Sequence, residues 1–224
     1  MATMSDRVHR LLASRPSFRG RLHQAAFLAS LPAGVALVAA AHSLLARLAV
    51  LVYALSLAAM FGTSAALHRL RWSPRGWLRM DRLDRSMIYL LIAGSYTPVT
   101  LLALRPGWRV AFLALVWTGA AVGIALVLVW HRARGAGVLR MVLYLGLGWV
   151  SVLILPQLAS SLGLGRLALG VAGGLLYTVG AIVLMRRRPD PNPRVFGYHE
   201  VWHACTVAAG ACHYALIWLL ATAR

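Results

Sequence analysis

The segment HEVWH at residues 199–203 carries the residues with the clearest chemical potential in this sequence. It fits the H-E-x-x-H pattern of zinc proteases, in which two histidines one helical turn apart bind the metal and the glutamate acts as base. A protease of that type takes its third ligand from further along the chain. Here the position six residues after His203 is Ala209, and no Asp or Glu follows Glu200. The third ligand must therefore come from another part of the chain.

Glu200 has two interpretations. It is either a catalytic base or an acid at the start of a helix, where the helix dipole favours it and an arginine such as Arg194 can pair with it. The sequence alone leaves both open. His213 follows in the same apolar stretch, but it would lie roughly 15 Å beyond His203 along a helix. We therefore expect His213 to form an interhelical hydrogen bond or to line a cavity, outside the metal's ligand set.

The composition is that of a membrane protein. Of the 224 residues, 60% are hydrophobic and only 12% are charged, and the mean hydropathy is +0.72. The formal net charge is +18, yet the arginines occur in short clusters between long apolar runs. This pattern is typical of loops that fix membrane orientation and argues against nucleic-acid binding.

Hydropathy predicts an all-α integral membrane protein, a bundle of seven transmembrane helices. The predicted spans are about 22–42, 48–68, 86–104, 110–130, 138–156, 165–185 and 196–221. Residues 1–21 would form a basic cytoplasmic tail, and residues 22–224 a single membrane domain. The first span also resembles a signal peptide, although its length favours a retained helix.

The arginines predict the orientation of these spans. Most of them fall in the tail and in the connections after spans two, four and six. The other connections and the C-terminus hold only Arg47, Arg105, Arg109, Arg166 and Arg224. Because positive residues concentrate on the cytoplasmic side, the N-terminus is predicted to be cytoplasmic and the C-terminus outside.

That topology brings distant polar residues to one depth near the cytoplasmic face. Ser64 and His68 end span two, Asp84 begins span three, and His199 and His203 begin span seven. His68 can complete a three-histidine zinc site with an open position for water, and Asp84 can accept a hydrogen bond from that water. The alternative is that these histidines are hydrogen-bonded packing groups, but ionisable residues inside membrane spans are usually functional.

Three stretches resemble the signature motifs of the hemolysin III family, which is related to the adiponectin and progestin receptors and, more distantly, to alkaline ceramidases. They are SAALH at 64–68, DRSMIYLLIAGSYTP at 84–98 and GYHEVWH at 197–203. The resemblance implies a seven-helix bundle with zinc near the cytoplasmic face. It also implies that His68, His199 and His203 are the ligands, that Asp84 holds the metal-bound water, and that Ser64 lies beside them or polarises the substrate.

Arg85 and Leu67 depart from the family pattern, which often has a histidine and an aromatic residue at these positions. We expect Arg85 to perturb Asp84.

These relatives imply metal-dependent hydrolysis of lipid amides or esters by a multi-pass protein of the cell membrane. The ligand would be a lipid or another amphiphilic small molecule. One alternative is a receptor or sensor in which zinc is structural. The other is the cytolysis in the family's name, although a chain with seven apolar spans has no plausible soluble form. The sequence does not predict the oligomeric state.

Overall fold

The computed structural model describes residues 16–130 and 135–223, and these form an all-helical bundle. Most of the predicted basic tail and the arginines Arg132, Arg134 and Arg224 lie outside the described residues. The helices are α1 (Arg21–Ala40), α2 (Leu44–Arg69), α3 (Pro74–Ala103), α4 (Pro106–Val129), α5 (Ala136–Gly148), a 3-10 turn (Val150–Ile154), α6 (Leu155–Arg186) and α7 (Tyr198–Ala221). Within the described ranges, the only strand-like pairing is an isolated bridge between Asn192 and Phe196.

Six helical segments of the described chain are long and apolar enough to cross a membrane, where the sequence predicted seven. The predicted fifth and sixth spans fall in one helical stretch of 50 residues, Gly137–Arg186. A straight helix of that length would measure about 75 Å, more than twice the thickness of a bilayer's hydrocarbon core. The stretch is broken at Gly163, whose φ of 71° and ψ of 165° lie outside the helical region and suit only glycine.

Helix α3 begins about three turns earlier than the predicted span at 86. Ser73 caps it, with its hydroxyl accepting the Gly76 N–H at 3.1 Å, and Pro74 follows at the first helical position. The predicted span begins later because the Arg- and Asp-rich first turns lower the average hydropathy. Since the helix itself starts at Pro74, Asp84 lies well inside it instead of at its beginning.

The core lies where α2 and α7 pack against α1 and α3. Its largest fully buried members include Tyr53 of α2, Ile217 of α7 and Leu37 of α1. Large apolar side chains also cover the outer surface of the bundle, and Val35 and Val110 are more than 70% exposed. An exposed apolar surface of this extent suits contact with lipid chains.

The alternating helices give the bundle two distinct ends. The histidine end contains the starts of α1, α3 and α7 and the end of α2, which carries His68. The opposite end contains the ends of α1, α3 and α7, the start of α2 and the break at Gly163. A cavity of about 350 Å³ lies there between His42, Ser43, Arg166 and Leu220.

Candidate metal centre

His68, His199 and His203 meet at the histidine end. Each histidine offers one candidate ligand atom, and these three atoms all lie within 4.8 Å of one another. His68 is in the last turn of α2, while His199 and His203 occupy the first two turns of α7. The prediction that these distant segments converge is therefore confirmed, and the three histidines are placed where they could hold one metal ion.

The distances suit tetrahedral zinc. The Nε2 atoms of His68 and His199 are 3.3 Å apart. Two nitrogens bound tetrahedrally to one zinc ion at about 2.0 Å lie about 3.3 Å from each other. The ring centroid of His203 lies 5.2 Å from that of His68 and 4.6 Å from that of His199. Three histidine nitrogens form a donor set that is typical of catalytic zinc sites.

Glu200 fixes the start of α7 instead of facing the histidines as a free base. One carboxylate oxygen accepts the N–H of Gly197 at 2.9 Å, and the other pairs with Arg19. The side chain is only 1% exposed. Because both oxygens are engaged, the structure supports the helix-start interpretation, but the paired arginine is Arg19 and not the suggested Arg194.

Ser64 and Asp84 are brought together by the packing of α2 against α3. Ser64 lies one turn before His68 on α2 and is 3% exposed, and its hydroxyl forms a side-chain hydrogen bond with the carboxyl group of Asp84 on α3. Ser64 lies on the same face of α2 as His68, and its hydroxyl thus orients the carboxylate of Asp84 from α3. The catalytic roles of Asp84 and Ser64 stay predictions.

Arg85 pairs with a neighbour that the sequence analysis missed. Its guanidinium forms two hydrogen bonds of 3.0 Å with the buried carboxylate of Asp81, one turn earlier in α3. The Tyr144 hydroxyl donates to the Arg85 carbonyl at 3.0 Å and so ties α5 to α3. The four-residue spacing of Asp81 and Arg85 was the available signal for this pair.

His23 of α1 is the second residue that sequence reasoning missed. It is 2% exposed, and its ring stacks on that of His203 with centroids 3.7 Å apart and an angle of 10° between the planes. It is the second residue of the first predicted span, which places it near the same end of the bundle as the other histidines. The topological argument that found His68 would therefore also have found His23.

The residues before α1 cover part of this end of the bundle. Ser17 and Phe18 donate backbone N–H groups to the carbonyls of Arg194 and Val195 at 3.0 and 3.1 Å. Gly20 then turns the chain with a φ of 78°, and a Cβ there would lie 2.6 Å from the Cβ of His68. A glycine is thus required at the point where the chain passes closest to a proposed ligand.

His213 lies apart from this cluster, as predicted. Its ring hydrogen-bonds to the backbone of Gly170 on α6 and lies 5.6 Å from the Tyr177 ring. Gly173 gives it space, because a Cβ there would come within 2.4 Å of the imidazole. His213 is therefore an interhelical hydrogen-bonding residue between α6 and α7.

Comparison with known proteins agrees with the motifs. The family model described as "Haemolysin-III related" matches residues 12–214. Hemolysin-3 of Bacillus cereus is 32% identical over 176 residues, which cover 77% of this chain and 75% of that protein. The Hemolysin-3 homolog of Bacillus subtilis is 26% identical over 163 residues, 73% of this chain and 72% of that protein. The human monocyte to macrophage differentiation factor is 28% identical over 177 residues, 75% of this chain and 68% of that protein. The chain therefore belongs to the haemolysin-III related family.

Proposed function

We propose that this protein is a zinc-dependent hydrolase of lipid amides or esters in the cell membrane. The observation that carries the proposal is the cluster of His68, His199 and His203, whose candidate ligand atoms lie within 4.8 Å of one another. Zinc is the metal that best suits three imidazoles with an open fourth position. A hydrogen-bonded hydroxyl and carboxylate beside such a site supply the acid–base group that hydrolysis requires.

The proposal includes seven membrane crossings, with the N-terminus in the cytoplasm. The stretch Gly137–Arg186 would cross twice and turn at Gly163. Ser161 and Arg166, on either side of the turn, line the same cavity as His42 and Leu220, which supports a turn at the opposite end of the bundle. The distribution of arginines then assigns the histidine end to the cytoplasmic side.

Asp84 is the proposed proton acceptor. When bound, zinc supplies a Lewis acid and lowers the pKa of a water molecule in its open position. Asp84 would take the proton of the attacking water and pass it to the leaving amine or alcohol, so that water is added across the broken bond. Ser64 donates its single hydroxyl proton to Asp84 and thereby orients the carboxylate. The alternative role of Ser64, polarising the substrate carbonyl, would require this hydrogen bond to switch.

An amphiphile is the substrate class that this location suits. The site lies inside an apolar bundle whose outer surface is lined by exposed aliphatic side chains such as Val35 and Leu55. A lipid could keep its chain between helices or in the surrounding bilayer while its amide or ester group reaches the histidine end. A fully water-soluble substrate gains nothing from such a position.

The names of the two Bacillus relatives make cytolysis a second candidate. A secreted cytolysin must remain soluble before it inserts into a target membrane. Six long apolar segments have no plausible soluble state, because their exposed apolar side chains would be unfavourable in water. Detection of a folded, soluble, secreted form with lytic activity would favour cytolysis over the hydrolase.

Fatty-acid release from a lipid panel tests the proposal. The purified protein would be reconstituted in lipid nanodiscs, stripped of metal by a chelator and divided into apo and zinc-loaded samples. Ceramides, N-acyl amino lipids and glycerolipid esters would be offered to both. We expect the zinc-loaded sample alone to release free fatty acid from at least one class. Failure of the folded, zinc-loaded protein to cleave any lipid would contradict the hydrolase proposal.

A further inference from the structure

His23 poses a hydrogen-bonding problem that the proposed zinc site does not by itself solve. The side chain is 2% exposed, and neither ring nitrogen has a hydrogen-bond partner among the described residues. The Nδ1 of the neighbouring His203 also lacks a partner there. Buried polar groups of this kind are nearly always satisfied, and those that lack a protein partner usually bind ordered water.

The two rings cannot satisfy each other directly. They are stacked, with centroids 3.7 Å apart and planes 10° from parallel, whereas an imidazole N–H points along its own ring plane. The Phe61 ring packs against His23 with a centroid distance of 5.2 Å, so it offers no hydrogen-bond partner. Neither neighbouring ring therefore supplies the hydrogen bonds that these three buried nitrogens need.

The chemistry of metal-binding histidines gives this third group a role. A histidine that binds a metal through one nitrogen usually donates its other N–H to an acceptor, which fixes the tautomer and the ring orientation. His203 is a proposed zinc ligand, and its Nδ1 is the orphaned nitrogen. An acceptor at Nδ1 would hold the Nε2 lone pair ready for the metal.

We propose that buried water links the Nδ1–H of His203 to His23, so that His23 is a positioning residue of the metal centre. The water accepts a hydrogen bond from His203 and donates one to the unprotonated nitrogen of His23. The remaining His23 N–H donates to a water of the same cluster. Through this link, α1 contributes to a site whose proposed ligands come from α2 and α7. The inference rests on the proposed function only in that it requires a metal at the three histidines.

Zinc affinity of matched variants tests this role without relying on activity. Competition with a chromophoric chelator would compare the parent protein with His23→Phe, which keeps a flat ring but no polar atom. His23→Gln retains a donor and an acceptor, and His42→Phe at the opposite end controls for an unrelated histidine loss. We expect His23→Phe to bind zinc about 10- to 100-fold more weakly, with His23→Gln closer to the parent and His42→Phe unchanged.

The outcomes separate this inference from the proposed function. If the parent binds zinc and folded His23→Phe binds it equally well, His23 is only a packing residue and the inference is wrong. Equal weakening in the Phe and Gln variants would also overturn it, because ring shape and not polarity would then matter. If the folded parent binds no zinc, the proposed function and this inference both fail.

A measurement on the parent protein covers the case in which the variants do not fold. Nitrogen NMR of ¹⁵N-histidine-labelled, zinc-loaded protein reports the tautomer of each imidazole. We expect His203 to carry its proton on Nδ1 and to show a cross-peak from that proton to a long-lived water. A proton on Nε2 of His203, or the absence of any such water signal, would contradict the proposal.

Discussion

The two ends of the bundle contain similar residue types but arrange them in opposite ways. At the histidine end, the four acidic residues that the structure describes accompany a cluster of four histidines, and both ion pairs of the described chain are found there. At the opposite end, His42 is exposed, and Arg47 and Arg109 donate to the backbone carbonyls of Ala41 and Leu104. Convergence, burial and pairing, more than residue type, therefore distinguish the candidate metal centre from the opposite end.

The cavities reinforce the comparison. The cavity of about 350 Å³ at the opposite end is lined by His42 and Arg166, and none of its described lining residues is Asp or Glu. It therefore brings together positive and neutral polar groups but no acidic side chain among the described residues. At the histidine end, the chain before α1 approaches α2 so closely that a Cβ on Gly20 would lie 2.6 Å from the Cβ of His68. We therefore expect substitutions at the two ends to have very different consequences.

Asp84→Asn should have the largest effect on catalysis. The amide keeps the shape of the side chain but cannot accept a proton, so we expect a loss of about 10²- to 10⁴-fold in the rate of lipid hydrolysis. Zinc content should stay unchanged, since Asp84 is not a proposed ligand. Asp190→Asn is the matched control, because the carboxylate of Asp190 accepts the Tyr198 N–H at the start of α7, and an amide oxygen can do the same. Undiminished lipid hydrolysis by the folded Asp84→Asn variant would contradict the proposed role of Asp84 as proton acceptor.

Glu200→Gln should have an intermediate effect, on stability instead of chemistry. The amide oxygen can still accept the Gly197 N–H, but the charged contact with Arg19 is lost. We expect the free energy of unfolding to fall by about 1 to 3 kcal/mol, measured by thermal denaturation in detergent, with the rate of hydrolysis largely retained. A loss of activity as large as that of Asp84→Asn, in a folded protein, would restore the glutamate-base interpretation of HEVWH.

Arg166→Ala should have the smallest effect on the metal centre. Arg166 is at the opposite end and lines the cavity there. We expect zinc affinity and hydrolysis to remain within experimental error of the parent values, measured by chelator competition and fatty-acid release. A strong decrease in either would show that the two ends are coupled and would break the contrast between them.

Much of the helical fold and part of the site were predictable from sequence, for identifiable reasons. Hydropathy identified the membrane-compatible segments, but it missed the polar first turns of α3. In the sequence, only Ser73 as a cap and Pro74 at the first helical position indicate that the helix begins there. It also divided the stretch Gly137–Arg186 into two spans, and only the backbone at Gly163 reveals how the helix is broken. The family assignment followed from three short motifs and is confirmed by the match over residues 12–214.

The site was predictable where periodicity and depth determined it. The one-turn spacing of His199 and His203 and the position of His68 at the end of a span were sufficient to predict their convergence. The contact between Arg19 and Glu200 joins residues 181 positions apart, and no local pattern encodes it. The stacking of His23 on His203 is likewise a consequence of how α1 packs against α7, although the depth of His23 was visible in the sequence.

The metal content of the purified protein tests the central claim most directly. Elemental analysis would compare the parent with the double variant His199→Ala/His203→Ala, after both are shown to be folded and monodisperse, and with His42→Ala as the matched control. The account predicts about one zinc per chain in the parent and in His42→Ala, and none in the double variant. Equal zinc content in the parent and the double variant, or a folded parent without zinc after metal loading, would contradict it.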